Sequence, residues 1–160
     1  MNRIILFSPI IACLFTLNSF SKQDDILINT YQTHTLKNEQ KGQFLYRTSP
    51  PNKMDQGKKY PLLVFFHGAG GRGRDNNGQL TDAGGIEAFE KQSVRTKRKS
   101  HIFAGQVPQG ERWVNTAWNL LGHNMPEISN SMEMAFKAID AYIQNPKNQV
   151  DPKRIYAMGL

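Results

Sequence analysis

Tyr60-Pro61-Leu62-Leu63-Val64-Phe65-Phe66-His67-Gly68-Ala69-Gly70-Gly71 is the stretch on which the fold turns. After the proline come five apolar residues, Leu62 to Phe66, and the run then breaks into glycines. So short a run does not make a helix, and its β-branched and aromatic content favours a strand buried on both faces. The glycines permit positive φ, so the chain can turn sharply with its backbone N–H groups bare. A buried strand that feeds a Gly-rich turn is where α/β proteins hold a ligand or an anion. The fold class read from this stretch is α/β.

Outward from it, the same order of elements continues. Upstream, residues 26–36 form a β-prone run with imperfect alternation, and residues 42–47 read as a second short strand. With 38–41 as a turn, the two make a leading antiparallel hairpin, and a Pro- and Gly-punctuated surface loop then leads to Tyr60. Downstream, a helix is expected from Ala83 or Gly84 to Arg95, with Ile86, Phe89 and Val94 inward. Residues 101–107 form the next strand, with His101 as an edge residue and Pro108 as its stop. A strand, helix and strand spaced in this way imply a parallel pair joined by a right-handed crossover. Residues 110–125 form a long irregular segment holding both tryptophans, and such segments in compact domains are usually functional. Residues 128–143 carry Met132, Ala135, Phe136, Ile139 and Ile143 as an apolar stripe, with Ser129 or Asn130 as cap. Asp151-Pro152 then turns into a final strand at 154–158.

The 160 residues bound the chain to one domain with a real core, and 39% hydrophobic against 21% charged residues describes a globular chain. Lys and Arg outnumber Asp and Glu by 20 to 13, a net charge of +7 that is dispersed along the sequence. The densest basic run, Arg95-Thr96-Lys97-Arg98-Lys99, has no interleaved aromatics, so it reads as the solvated end of a helix and nucleic-acid binding is not expected. Met1-Asn2-Arg3, an apolar run from Ile4 to Leu17 and the small residues of Ser19-Phe20-Ser21 read as an export signal cleaved after Ser21. The expected division is therefore a signal peptide at 1–21 and one domain at 22–160. No stable membrane span is expected once the signal is removed. Ile10-Ile11-Ala12-Cys13 also roughly fits a lipobox, which would make Cys13 an acylated first residue. Cys13 is the single cysteine, so disulfides, a cysteine nucleophile and a cysteine-based zinc site are not expected. His34, His67, His101 and His123 show no metal-ligand spacing, and neither metal nor cofactor is expected.

At His67-Gly68-Ala69-Gly70 the sequence resembles the oxyanion strand and loop of α/β-hydrolases, in particular the secreted esterase and "predicted peptidase" branch related to prolyl oligopeptidases. Three more stretches agree with that branch in its order: Arg72-Gly73-Arg74-Asp75-Asn76, Gln106-Val107-Pro108-Gln109-Gly110-Glu111-Arg112-Trp113 with Trp118 beyond it, and Val150-Asp151-Pro152-Lys153-Arg154-Ile155-Tyr156-Ala157-Met158-Gly159-Leu160. In the family the last of these runs into the nucleophile elbow Gly-x-Ser-x-Gly, with Gly159 as its first glycine. The resemblance thus implies the N-terminal half of an α/β-hydrolase fold, with nucleophile, acid and base beyond Leu160. Gly71 stands where the branch often has an acidic residue, and Gly105 and Val107 replace a common proline and cysteine.

The resemblance also assigns roles. Ala69, or else Gly70, would donate a backbone N–H to the oxyanion, since fixed amides aimed at the developing charge stabilise a tetrahedral intermediate. His67 and Gly68 would brace the loop, His67 being structural and not the catalytic base, and Asp75 would order the turn beyond it. Trp118 and Trp113 would line a substrate pocket or anchor the long loop onto the core. The expected activity is hydrolysis of a carboxylic ester or a peptide by an exported serine hydrolase, of which these residues alone would be inactive. The alternative is a non-catalytic binding protein on a degenerate scaffold of the same fold.

Overall fold

The computed structural model describes residues 24–117, 119, 121, 122 and 124–159. The expected signal segment, the lipobox cysteine, Trp118, His123 and Leu160 lie outside the described residues. A helix at 24–30, α1, leads into a hairpin of β1 (Gln32–Asn38) and β2 (Gly42–Ser49). The central strand β3 (Tyr60–Phe66) comes next, then β4 (His101–Gln106) and β5 (Val150–Gly159). The five strands form one sheet in the order β1-β2-β4-β3-β5. β1 and β2 are antiparallel, as are β2 and β4, whereas β3 runs parallel to both β4 and β5.

Alternation along β3 feeds two cores. Leu62 and Val64 join Phe44, Phe103 and the helix α5 (Asn130–Gln144) on one face of the sheet. Phe65 joins Leu27, Tyr31, Leu80, Ile86, Ile102 and Ala104 on the other. β4 is buried along its whole length. Pro61, which has no N–H to give to a ladder, lies where the β3–β5 register shifts between Tyr60 and Leu62. Opposite it Asp151 Oδ1 accepts the Lys153 N–H at 3.0 Å, a local turn that absorbs the mismatch.

Four expectations are corrected. The run at 26–36 is not all strand: 24–30 is helical, because Leu27 and Tyr31, four apart, supply its buried face and Tyr31 N–H bonds Leu27 O at 3.1 Å. The single helix expected from 83 or 84 to 95 is broken into α3 (Glu87–Glu90) and α4 (Gln92–Lys97), because Ala83 sits at φ 52 and Lys91 at ψ 126. A short helix α2 (Gly78–Thr81) precedes them.

The stripe of α5 is rotated from the one expected. Ser131, Met134, Ala135, Ala138, Ile139 and Tyr142 face the sheet, while Phe136 is 50% exposed. Ser131 and Tyr142 face inward because each has a polar partner there, Glu111 Oε2 at 2.5 Å and His101 Nδ1 at 2.9 Å. His101 is accordingly no edge residue; it is fully buried on an interior strand. Burial first, and the neighbouring Arg95 cation next, push the His101 imidazole down to a pKa of about 4.

Candidate oxyanion site

β3 ends at Phe66, and His67 to Gly71 turn the chain at the carboxyl end of the parallel strands. Ala69–Gly71 is one turn of 3-10 helix preceded by extended Gly68. Such a turn engages only its last amide internally, here Gly71 N–H to Gly68 O at 3.3 Å. The amides of Ala69 and Gly70 stand at its start, with no acceptor inside the turn, and both residues are exposed. Bare N–H groups at a fixed strand end are what an oxyanion requires.

His67 is built into the wall of this turn. It is 1% exposed, its Nδ1 lies 2.6 Å from Gly68 O and its Nε2 lies 3.0 Å from the Val107 amide. The Val107 amide can only donate, so Nε2 accepts and the proton sits on Nδ1, pointing at the Gly68 carbonyl. Both ring nitrogens are thereby committed, which leaves no lone pair for general-base work. Burial, reinforced by Arg72, lowers the imidazole pKa, against the opposing pull of the Gly68 carbonyl and Asp82, so the ring is neutral at pH 7. A Cβ added to Gly71 would come within 2.6 Å of His67 Cγ, so with the ring placed as it is the position takes only glycine. In the same way a Cβ at Gly105 would meet Phe44 Cζ at 2.5 Å.

The residues after the turn are held by a buried polar network that no local sequence pattern reveals. Asn76, at φ 56, donates its N–H to Gln106 Oε1 at 2.7 Å. Gln106 Nε2 donates to Asp75 Oδ1 at 2.7 Å and to Gly71 O at 3.2 Å, tying the turn to β4. Asp75 Oδ1 also accepts the amides of Asn77 and Gly78 at 3.0 and 3.2 Å. Burial alone would raise the Asp75 pKa, yet these donors outweigh it and hold the carboxyl below its ordinary range. Arg47, 7% exposed on β2, closes the network by donating to Asn76 O at 2.7 Å, to Asn77 Oδ1, and to the carbonyls of Ile28 and Tyr31 at 3.0 and 2.9 Å.

Trp113 does two jobs. Its Nε1–H donates to His67 O at 3.0 Å, and its ring packs edge-on to Phe66 with centroids 5.0 Å apart. Ser129 Oγ donates to Trp113 O at 2.7 Å and also caps α5 by accepting the Met132 N–H at 3.0 Å, which fixes the far end of the long loop. The exposed edge of Trp113 lines a cleft of about 370 Å³ together with Ala69, Arg72, Val107, Arg112 and Val114. Trp118, the other expected pocket residue, is outside the described residues.

No protein-family model matches the chain, and no curated protein sequence matches it. Solved structures do. A thermostable esterase superimposes with a TM-score of 0.73 at 26% identity, over 84% of this chain and 35% of its own length. A ferulic acid esterase from the anaerobic fungus Anaeromyces mucronatus superimposes at 0.53 and 13% identity, over 82% of this chain and 49% of its own. Another ferulic acid esterase does so at 0.50 and 18% identity, over 81% and 49%. The chain thus spans a third to a half of the length of these structures, and the part it spans is the N-terminal half of the fold they share.

Proposed function

We propose that this chain, which belongs to the α/β-hydrolase superfamily, is the N-terminal half of an exported serine hydrolase that cleaves carboxylic esters or peptides. The observation that carries the reading is the turn at Ala69 and Gly70: two exposed amides at the carboxyl end of β3, held by a neutral histidine with no free ring nitrogen. In this reading the Ala69 N–H, or the Gly70 N–H beside it, receives the negative charge that develops on the substrate carbonyl oxygen. The second donor comes from the residue after a serine that lies just beyond Leu160, and that serine attacks the carbonyl carbon once a histidine further along takes its proton. His67, Gly68 and Asp75 hold the turn in place, and Trp113 forms one wall for the substrate. The likeness to esterases supports ester cleavage over peptide cleavage.

Export rests on the N-terminal sequence, with cleavage after Ser21 and acylation at Cys13 as the other route. The test begins by sequencing the encoding DNA past the Leu160 codon. A frame that continues with Ser-x-Gly and later supplies an acid and a histidine is the expected result, and the encoded protein should then turn over an activated ester and lose that activity when the serine becomes alanine. A stop codon, or a different residue at the elbow, would overturn the hydrolase reading. Residues 1–160 alone should show no ester turnover above buffer.

A further inference from the structure

The amino ends of the parallel strands carry a second cleft, roughly 20 Å from the turn, which is the length of β3. It has a volume of about 440 Å³ and is lined by Lys58, Lys59, Lys97, Lys99 and Arg154, with Asp55 as the one carboxylate among its described lining residues. Lys58 and Lys59 come from the loop before β3, Lys97 and Lys99 from the end of α4, and Arg154 from β5. The fold thus joins three basic segments that lie far apart in the sequence. Arg95, in the same basic run as Lys97, turns inward and commits its guanidinium to Ser49 Oγ, Pro50 O and Ser100 O at 2.9, 2.6 and 2.9 Å. The Lys58 and Lys99 ammonium groups converge on one oxygen, Asp55 Oδ2, at 3.2 and 3.6 Å. Arg154 donates from Nε to Asp151 Oδ2 at 2.7 Å and from Nη2 to Lys59 O at 2.8 Å, which pins the β5 side of the cleft. Lys59 and Lys97 are exposed, and among the described residues neither ammonium group has a hydrogen bond or an ion pair. Bonds from Lys58 and Tyr60, with the charges of Lys58 and Lys99, hold the Asp55 carboxyl below its ordinary pKa range. Bonds from Arg154 and the Lys153 amide, with the charges of Arg154 and Lys59, do the same for Asp151. Two carboxylates meet five cations here, and the surplus is positive.

Exposed ammonium groups gathered in a cleft attract a polyanion through their summed field, without any one fixed pairing. Shape and lining then select among polyanions. A membrane is flat and meets a concave surface only at its rim. A single-stranded nucleic acid is held by rings on which its bases stack, and Tyr60, the one aromatic among the described lining residues, is 6% exposed. A protein partner needs an apolar anchor, and Pro61 is all the apolar lining this cleft has. An acidic polysaccharide carries fixed anions along a slender hydrated chain and needs none of these features. We propose that this cleft binds an acidic polysaccharide, with Lys58, Lys59, Lys97 and Lys99 as the groups that meet its anions. The surface lies at the opposite end of the strands from the Ala69 turn, and nothing in it depends on the hydrolase reading.

The test is binding of the full chain to alginate, a linear polyuronate, with dextran as the uncharged comparison, read by interferometry on immobilised polymer. Alginate should bind and dextran should not. The alginate affinity should fall about tenfold or more as salt rises from about 0.05 M to about 0.5 M. K59Q/K97Q should weaken alginate binding about tenfold, and K59R/K97R should keep it. K37Q/K137Q removes the same charge from exposed positions on β1 and α5 and should leave the affinity within about twofold. Equal losses in the two glutamine pairs would assign the binding to net charge alone and overturn the proposal. So would a failure of alginate to bind, an affinity that ignores salt, or tighter binding to phosphatidylglycerol vesicles or poly(dT) at the same anion concentration. Ester turnover of the longer protein is read separately. A protein that binds alginate but cleaves no ester would overturn the hydrolase reading and leave the polysaccharide site standing.

Discussion

The two segments that flank the candidate site are held very differently. The turn after β3 is fixed from several sides: His67 bonds Gly68 through Nδ1 and accepts the Val107 amide, beyond β4, at Nε2, Gln106 ties the turn to β4, and Arg47, on β2, grips Asn76 and Asn77 beyond it. β5, next to β3 in the sheet, pairs on one side alone and leaves Ile155 and Tyr156 36% and 56% exposed. An oxyanion hole must be rigid before substrate arrives, since fixed dipoles that need no reorganisation are what make it effective. The difference is the one the proposed reading calls for: the turn proposed to receive the charge is held firmly, and β5, which that reading leads toward the elbow, is the less supported strand among the described residues. Its outer edge is an unpaired ladder.

Breaking the well-held region should have the largest effects. Arg47→Met removes four hydrogen bonds and leaves buried carbonyls without a donor, so it should destabilise the chain by about 3–5 kcal/mol in urea unfolding. A loss below about 1 kcal/mol would show that the network does not hold the turn. Acid should come next. The His101 pKa is about 4 in the fold and near its ordinary 6.5 in the unfolded chain, so the unfolded chain binds more protons between those values and stability falls as pH drops through that window. The shift corresponds to about 3 kcal/mol. Unfolding midpoints measured across the window should fall less steeply in His101→Gln than in the unaltered chain.

Gly71→Ala places a methyl against the His67 ring and should cost about 2 kcal/mol. The same change should shift the His67 imidazole resonances in NMR spectra, which a substitution remote from the ring would not do. At the other end of the scale, Tyr156→Ser on exposed β5 should change stability by less than about 0.5 kcal/mol. A large loss there would mean that β5 is supported within this chain and would erase the contrast.

How much of this is legible in the sequence depends on distance along the chain. β3 and its turn are legible because an unbroken apolar run ending in glycines is a local signal, and so is the hairpin. The α1 helix is hidden because Ile26, Ile28 and Thr30 mimic a strand's alternation, while its buried residues, Leu27 and Tyr31, keep helical spacing. In α5 the period is legible but its phase is not. Ser131 and Tyr142 look unremarkable until Glu111 and His101 are brought to them by the fold. The network of Arg47, Asn76 and Gln106 joins residues 29 and 30 positions apart, and no local pattern announces such meetings. An arginine inside a β-prone run is the one available hint. Gln106 closes an apolar strand, yet its two roles, acceptor for Asn76 and donor to Asp75, need partners that only the fold supplies.

The central claim is that the amides at Ala69 and Gly70 receive the substrate's developing charge. Ala69 opens a helical turn, where proline is well tolerated, and Gly68 before it is already extended at φ −76 and ψ −165, as a residue preceding proline should be. Ala69→Pro therefore deletes one N–H with little disturbance of the backbone. In the longer protein that the proposed function expects, kcat on an activated ester should fall by about a hundred- to a thousandfold while the melting temperature holds. An unchanged kcat in Ala69→Pro, and again in a folded variant that displaces the Gly70 amide, would contradict the account.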